Sequence, residues 1–578
     1  MSLYETRYDQ MFPVLDAVQL ETAKRFASGP AQTFTPGESI FDVGVRHVPA
    51  WLVLAGSIAV SRRDGLHRQA SVVEHVAGQV TGEVSQLAGS GTLASGRAGA
   101  EGCTALPFDA AHVRALVIGS ADVGEILMRA FILRRTALLQ AGGAGSLLIG
   151  APDSPDVIRL EGFLGRNGYP YDLLDLSSDA DAKAVVERFG VLPNERPLLL
   201  CPNGAILKCP TDTEAGMCLG ITPELDPKKI YDVAVVGAGP AGLAAAVYGA
   251  SEGLSVIVLD QRGFGGQAGA SARIENYLGF PTGISGYALA ARAFTQAQKF
   301  GAEIAIPLEV TNLDCGGDRR RGDTFNLAIA GGDAVKARTV VIASGARYRR
   351  PDIPNLATFD GAGVSYWASR IEASLCAGEN IALVGGGNSA GQAVVFLAPK
   401  VKHLHLVVRG KGLEATMSKY LIDRIMALPN VTLHTGAEVV ALDGDRAGGL
   451  CQVTFRGRDS GKLYTFPMRH LFLFIGADPN TGWLNGCVDV DAKGFIVTGT
   501  KFSVEAGGRA PFALETSMPG VFAIGDVRGL STKRVGAAIG EGAAVVAQIH
   551  QVLALRAEPA PANAVSPSRP AHADAPHP

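Results

Sequence analysis

The stretch Tyr231-Asp232-Val233-Ala234-Val235-Val236-Gly237-Ala238-Gly239-Pro240-Ala241-Gly242 reads as a buried strand running straight into a glycine-rich turn and an alanine-rich helix. Glycines at this spacing suit a tight turn, close approach of the backbone to a pyrophosphate, and close packing of helix on strand, with the helix N-terminus facing the negative charge. The next apolar run, Ser255-Val256-Ile257-Val258-Leu259, ends in Asp260, where a carboxylate accepts a ribose hydroxyl. A second copy follows at Ile381-Ala382-Leu383-Val384, with Gly385, Gly386, Gly387, Asn388, Ser389 and Ala390 forming its turn. Two such segments imply two dinucleotides. The strand after the second copy, His403-Leu404-His405-Leu406-Val407-Val408, has no acidic residue at its end and continues Arg409-Gly410-Lys411. A missing carboxylate removes the ribose acceptor used for NAD, while Arg409 and Lys411 suit a 2′-phosphate, so NADPH is favoured over NADH.

Working outward, the chain has 578 residues, which at ordinary domain sizes means about four domains. Its net charge of -3 argues against a protein that coats nucleic-acid phosphates, and the basic run Arg319-Arg320-Arg321 sits among Gly and Asp like a solvated hairpin tip. The first residues lack the basic-then-apolar layout of a signal peptide, and nowhere do eighteen apolar residues run uninterrupted. The expectation is a cytoplasmic protein with no membrane contact. Eight cysteines without a C-x-x-C pair suit reduced thiols better than a disulfide framework or a zinc site, and no metal is expected.

Residues 1–140 read as a small β-roll, with strands such as Trp51 to Ala55 and Ser57 to Ser61, followed by one helical stretch from Val113 to Gln140. The segment Gly78-Gln79-Val80-Thr81-Gly82-Glu83, with Ser95-Gly96-Arg97-Ala98 after it, resembles the phosphate-binding cassette of cyclic-nucleotide-binding domains. That resemblance implies Glu83 on a ribose hydroxyl and Arg97 on a cyclic phosphate, making a cyclic nucleotide the candidate effector. The separation of Glu83 from Arg97 exceeds the family's usual spacing, which leaves open a domain that only packs or regulates. Residues 145–225 alternate strand and helix and resemble a glutaredoxin or thioredoxin fold. Asp153-Ser154-Pro155-Asp156 occupies the place of that family's reactive pair, and Pro197 resembles its cis-proline. An Asn203-Gly204 turn would set Cys201 opposite Ile206 and Cys209 opposite Leu198, so these thiols would not meet. Residues 556–578, rich in Ala, Pro, His and Ser, read as a disordered tail.

From residue 229 to 553 the chain resembles the low-molecular-weight thioredoxin reductase family. Gly265-Gly266-Gln267 and Ile274-Glu275-Asn276 resemble its flavin-contacting loop, which implies Asn276 near the isoalloxazine. Ala343-Ser344-Gly345 and Gly476 mark the two crossings between an FAD-binding domain (229–344 and 476–553) and an inserted nicotinamide-nucleotide domain (345–475). Gly520-Val521-Phe522-Ala523-Ile524-Gly525-Asp526 resembles the C-terminal FAD signature, with Asp526 at the ribityl chain and Lys533-Arg534-Val535 along the pyrimidine edge. The implied FAD set is therefore Gly237, Gly239, Gly242, Asp260, Gly265, Gly266, Gln267, Asn276, Gly345, Gly525, Asp526, Lys533, Arg534 and Val535. The family also implies a homodimer.

The family's redox pair is absent. Gly363-Val364-Ser365-Tyr366 leads into Trp367-Ala368-Ser369-Arg370, so Trp367 and Arg370 stand where the cysteines would be, and neither relays electrons as a disulfide does. Cys376 nearby suits a core position. The expected architecture is multidomain α/β: an N-terminal β-roll with helices, a thioredoxin-like α/β domain, then two Rossmann-like dinucleotide-binding domains. The expected activity is an FAD-dependent NAD(P)H oxidoreductase whose acceptor, a quinone, oxygen or a carrier protein, the sequence does not name. Two alternatives stay open: a disulfide reductase using partner-supplied cysteines, and a redox or nucleotide sensor without turnover.

Overall fold

A computed structural model describes residues 3–63, 69–141, 146–271, 273–316, 324–368, 370–445, 449–499 and 509–557. The run Arg319-Arg320-Arg321 and residues 558–578 of the expected tail lie outside the described residues, while Arg556 and Ala557, read as the start of that tail, end the last helix. In the roll, Ser95–Phe108 pairs with Gln32–Phe34, Ser39–Phe41 and Ala50–Arg63, and Gln69–Val76 lies outside Ala50–Arg63. The two short strands expected at Trp51 and Ser57 are thus one strand, kept continuous across Gly56 by register shifts against its partner. The helical stretch read from 113 to 140 is two helices, Ala110–Gly119 and Ala121–Ala141, because Ser120 leaves the helical region between them.

The next unit is a four-stranded sheet ordered Asp172–Asp175, Leu147–Gly150, Leu198–Leu200, Ile206–Lys208. Its first pair is parallel and joined through the helix Pro155–Arg166, which Ser154 caps and whose Val157, Leu160, Phe163 and Leu164 bury against the sheet. The Arg196–Pro197 bond is cis. The hairpin register differs by one residue from the expected one: Leu200 faces Ile206 and Leu198 faces Lys208, since the Cys201 N–H closes the turn on the Ala205 carbonyl. The expectation of reduced cysteines also fails here. The helix Asp212–Cys218 folds back to bring Cys218 within 6.1 Å (Cα–Cα) of Cys201, and the two form a disulfide; Cys315 and Cys487, 5.7 Å apart, form another.

Val233 to Val236 explain the third unit. Apolar on both faces, this run can only be a central parallel strand. Ile230–Val236 lies between Val256–Leu259 and Ala334–Ile342, parallel to both, with Glu303–Ala305 beyond the former; Val521–Ala523 returns from late in the chain to pair with 340–342. The antiparallel strands Phe325–Ile329 and Val310–Asp314 extend the far edge. The chain leaves this sheet at Ala346–Tyr348 and comes back at Ala477–Pro479, and these two crossing strands pair with each other. Between them sits a wholly parallel sheet ordered Val364–Ser365, His470–Leu473, Asn380–Val384, His403–Val408, Val431–Thr435, against which the antiparallel strands Ala437–Asp445, Gly449–Gly457 and Leu463–Pro467 pack.

Val535–Arg556 is long and apolar enough, by length and composition, to cross a membrane. Here it closes the third unit: Val545, Val546, Ile549 and Val552 are buried in the same core as Leu243 and Val247.

On the second parallel sheet, His405 Nδ1 and His434 Nε2 are 2.9 Å apart, with the Phe466 ring 4.6 Å from His405. The bond needs one proton between the two nitrogens. Burial and the neighbouring His434 and His403 push His405 down to about 4, and burial lowers His434 too. Both folded-state values lie below the unfolded ones, so the folded protein binds fewer protons, and this contribution is complete near neutrality and lost as pH falls from about 6.5 toward 4. Half-exposed rings recover only part of such a shift, about 1–2 kcal/mol. Replacing His405→Asn is expected to flatten the melting-temperature profile between pH 7 and pH 5 relative to the wild type; parallel profiles would refute this.

Candidate functional site: two nucleotide cradles facing one seam

At the first turn, Gly237 has φ +114°, and a Cβ there would run into the Ala343 carbonyl. The helix Pro240–Ser251 starts from Gly239 without any side-chain cap, so its first N–H groups stay available to an anion. Gly242 is buried where this helix touches the strand, and Gly239 meets Gly266 backbone to backbone. Asp260 does more than wait for a ribose. Its carboxylate accepts the N–H groups of Ala238, Arg262 and Gly263 at 2.8–3.0 Å, fixing the turn from behind. The Gln267 amide ties the Gly265-Gly266 loop to the Ala346 carbonyl, and Ser344 Oγ and Gly345 O bind Asn480 across the two crossings.

Asp526 is half-buried just after the returning strand, and burial raises its carboxyl above the ordinary range. Lys533 donates from Nζ to Asp526 O (2.6 Å) and Ser531 Oγ (2.8 Å), stapling its own loop. Arg534 and Val535 lead into the last helix. Two carboxylates that sequence reading misses hold this region. Glu541 accepts from Gly525 N (2.7 Å) and Arg528 Nη2 (2.5 Å); Glu515, 1% exposed, accepts from Arg509, Phe512 N and Gly520 N. Their signal is faint, since an acidic residue several positions before or after a glycine motif looks like surface.

The second turn repeats the logic. Gly385 has φ +148°, and a Cβ there would strike the Phe474 carbonyl. The helix Asn388–Leu397 begins uncapped at Gly387, with Ser389 exposed and Ala390 buried. Asn388 Oδ1 accepts from Ser418 N at 2.7 Å, and Thr416 Oγ1 donates to Gly386 O at 2.6 Å, so both pin the loop that follows. Arg409 and Lys411 stand exposed at the carboxyl end of the adjacent strand.

The two nucleotide domains touch at several points. Asn276 lines a cleft of about 310 Å³ together with Arg273, Glu275, Thr282, Tyr420 and Arg424, and a 2.5 Å Glu275–Arg424 ion pair joins the two halves. Tyr348, on the crossing strand, is edge-on to Phe474 beside the second turn; burial and the charge of Asp526 push its phenol up to about 12. Trp367 donates its indole N–H to Glu372 at 2.6 Å, and the Arg166 guanidinium of the preceding unit lies over its ring at 5.5 Å. Next to Arg166, buried Asn167 donates to the Arg262 carbonyl at 3.1 Å, in the loop held by Asp260. The Arg370 side chain lies outside the described residues.

Glu83 and Arg97 have separate protein neighbours, and both Glu83 carboxylate oxygens are buried without a hydrogen-bond partner among the described residues. Glu83 is 8% exposed and lies 3.6 Å from Arg135 Nη1, while Arg97 is exposed near the start of its strand and donates to Gly37 O. Arg135 also donates to Gly168 O at 2.7 Å, making Glu83 part of the junction between the first two units.

Among known families, the model described as pyridine nucleotide-disulphide oxidoreductase matches residues 231–542, more than half of the chain. The chain belongs to that family. Family members are FAD-dependent oxidoreductases of nicotinamide nucleotides, and both cradles fit their cofactors: uncapped helix N-termini, glycines with no room for a side chain, and a ribose-side carboxylate in the first turn only. The F component of alkyl hydroperoxide reductase from Pseudomonas putida is 33% identical over 338 residues, 57% of this chain and 59% of that protein. An NADH dehydrogenase of Bacillus subtilis is 32% identical over 320 residues, 55% of this chain and 58% of that protein. The chain thus spans less than two thirds of these relatives' own length. The crystal structure of thioredoxin reductase from T. acidophilum superposes with a TM-score of 0.50 at 27% identity, covering 56% of this chain and 99% of that one.

Proposed function

We propose that this protein oxidises NADPH through bound FAD and delivers the electrons to an acceptor other than a disulfide of its own second nucleotide domain. The observation that carries this reading is Trp367, hydrogen-bonded to Glu372 and covered by Arg166, at the position that the resemblance assigns to a relay cysteine. An indole has no sulfur with which to exchange with a thiol. FAD, when bound, supplies acceptance of a hydride and its onward release. The chain's part is to hold and orient: the 237–242 turn takes the FAD pyrophosphate, Asp260 and Asp526 flank its two ends, and the 385–390 turn takes that of NADPH. Tyr348 and Asn276 stand where the two nucleotide domains touch, so they orient the reacting rings. The relative named NADH dehydrogenase supports an acceptor outside thiol chemistry. The first two units, joined to the FAD loop through Asn167 and to Trp367 through Arg166, regulate or recruit.

Anaerobic stopped-flow reduction by NADPH and by NADH, followed by mixing with oxygen, ferricyanide, a quinone and a disulfide protein, tests the reading. Fast bleaching and fast reoxidation by a non-disulfide acceptor are expected. Failure to bleach with either nucleotide removes the catalytic reading; reoxidation by the disulfide protein alone removes the acceptor assignment.

A further inference from the structure

Three loops converge at the carboxyl end of the second parallel sheet, beside the 385–390 turn. Val408 pairs with Thr435, so residues 409–411 and Gly436 leave the sheet side by side, and Gly436 N donates to Gly410 O at 2.8 Å. The antiparallel sheet delivers the third loop: Ala437 pairs with Gly457, and Arg458 N donates to Gly436 O at 2.7 Å. Arg458 therefore reaches the nucleotide edge from a strand nearly fifty residues away in sequence. Its Nη1 lies 3.5 Å from the Arg409 carbonyl. The neighbouring carboxylate does not consume it. Glu438 is held by Arg456 Nη2 at 2.6 Å and Nε at 3.2 Å, whereas Arg458 Nε stays 3.9 Å from it and its side chain is 52% exposed.

We infer that Arg458 is a specificity-determining residue for the second nucleotide, forming with Arg409 and Lys411 the cationic site for an adenosine 2′-phosphate. This rests on the NADPH reading above and adds its missing part. Sequence alone shows a thin basic cluster, with Gly410 between the cations and Glu414 opposing them on the same loop. A guanidinium supplied by the hairpin restores a second planar, forked donor beside Arg409, suited to a phosphate as a lone lysine is not.

The test uses the FAD-loaded full chain and binding, not turnover. Isothermal titration with 2′,5′-ADP, 5′-AMP, NADP⁺ and NAD⁺ is compared for wild type, Arg458→Gln and Arg409→Gln. Arg458→Gln is expected to weaken 2′,5′-ADP and NADP⁺ by about three- to tenfold, the range for one solvent-facing charge-assisted contact, and to leave 5′-AMP, NAD⁺ and the melting temperature unchanged. Two results overturn it: 2′,5′-ADP bound equally by Arg458→Gln and wild type while Arg409→Gln weakens it, or 5′-AMP and NAD⁺ weakened in parallel, which makes Arg458 a loop support. A wild type that binds 2′,5′-ADP no better than 5′-AMP overturns the NADPH reading itself, and is told apart by needing no variant.

Discussion

Gly385→Val is expected to purify with its full complement of FAD yet to lose at least about a hundredfold in the rate of flavin reduction by NADPH, a loss equivalent to about 2.7 kcal/mol. The backbone at Gly385 occupies φ +148°, where a β-branched residue is strained by about 1–3 kcal/mol even in open space. Space is also lacking, since the new Cβ would meet the Phe474 carbonyl. The turn must therefore move, taking with it the uncapped N-terminus of the Asn388–Leu397 helix that would face the pyrophosphate. The first cradle connects to this turn through the crossing strands, so FAD content is expected to hold. Gly237→Val is the mirror control: crowded by Ala343 at φ +114°, it is expected to yield colourless protein. Absorbance at purification and stopped-flow bleaching separate the two. A yellow Gly385→Val protein bleached at the wild-type rate would show that the second turn is not the donor site.

The residues that can be read from sequence are those whose constraint is local. A glycine that must adopt positive φ, an apolar run buried on both faces and a terminal Asp260 all state their requirement within a few positions, and the structure has them in that arrangement. What stays hidden depends on contacts far apart in sequence. Arg166 over Trp367 joins residues two hundred positions apart, Arg458 beside Arg409 joins two sheets, and the Cys201–Cys218 disulfide needs a helix to fold back over a hairpin. The hairpin register departs from expectation for a smaller reason. Asn203-Gly204 reads as a two-residue turn, but Cys201 closes on Ala205 and shifts every pairing by one.

Glu515 shows the same principle where the energetic consequence is largest. Its carboxylate is 1% exposed and accepts from Arg509 Nη1 at 2.7 Å, Arg509 Nη2 at 2.6 Å, Phe512 N at 2.9 Å and Gly520 N at 2.9 Å. Glu515→Ala leaves two backbone donors without their acceptor and Arg509, its side chain 34% exposed, without its partner, a loss of about 1–3 kcal/mol. For a unit of this size that corresponds to a melting temperature lower by about 5 °C. The damage is not confined to stability. Gly520 opens the Val521–Ala523 strand, which pairs with Val340 to Ile342 and carries Asp526 to the flavin cradle, so loosening its amide frees the ribityl side. Glu515→Ala is therefore expected to release FAD on dilution, seen as rising flavin fluorescence, at temperatures where the wild type retains it. Glu515→Gln keeps the shape and one good acceptor but surrenders the charge facing Arg509, and should fall between the two. An alanine variant that melts with the wild type and keeps its flavin would mean that the 509–520 loop holds its form without this carboxylate, and the returning strand would then owe its position to sheet pairing alone.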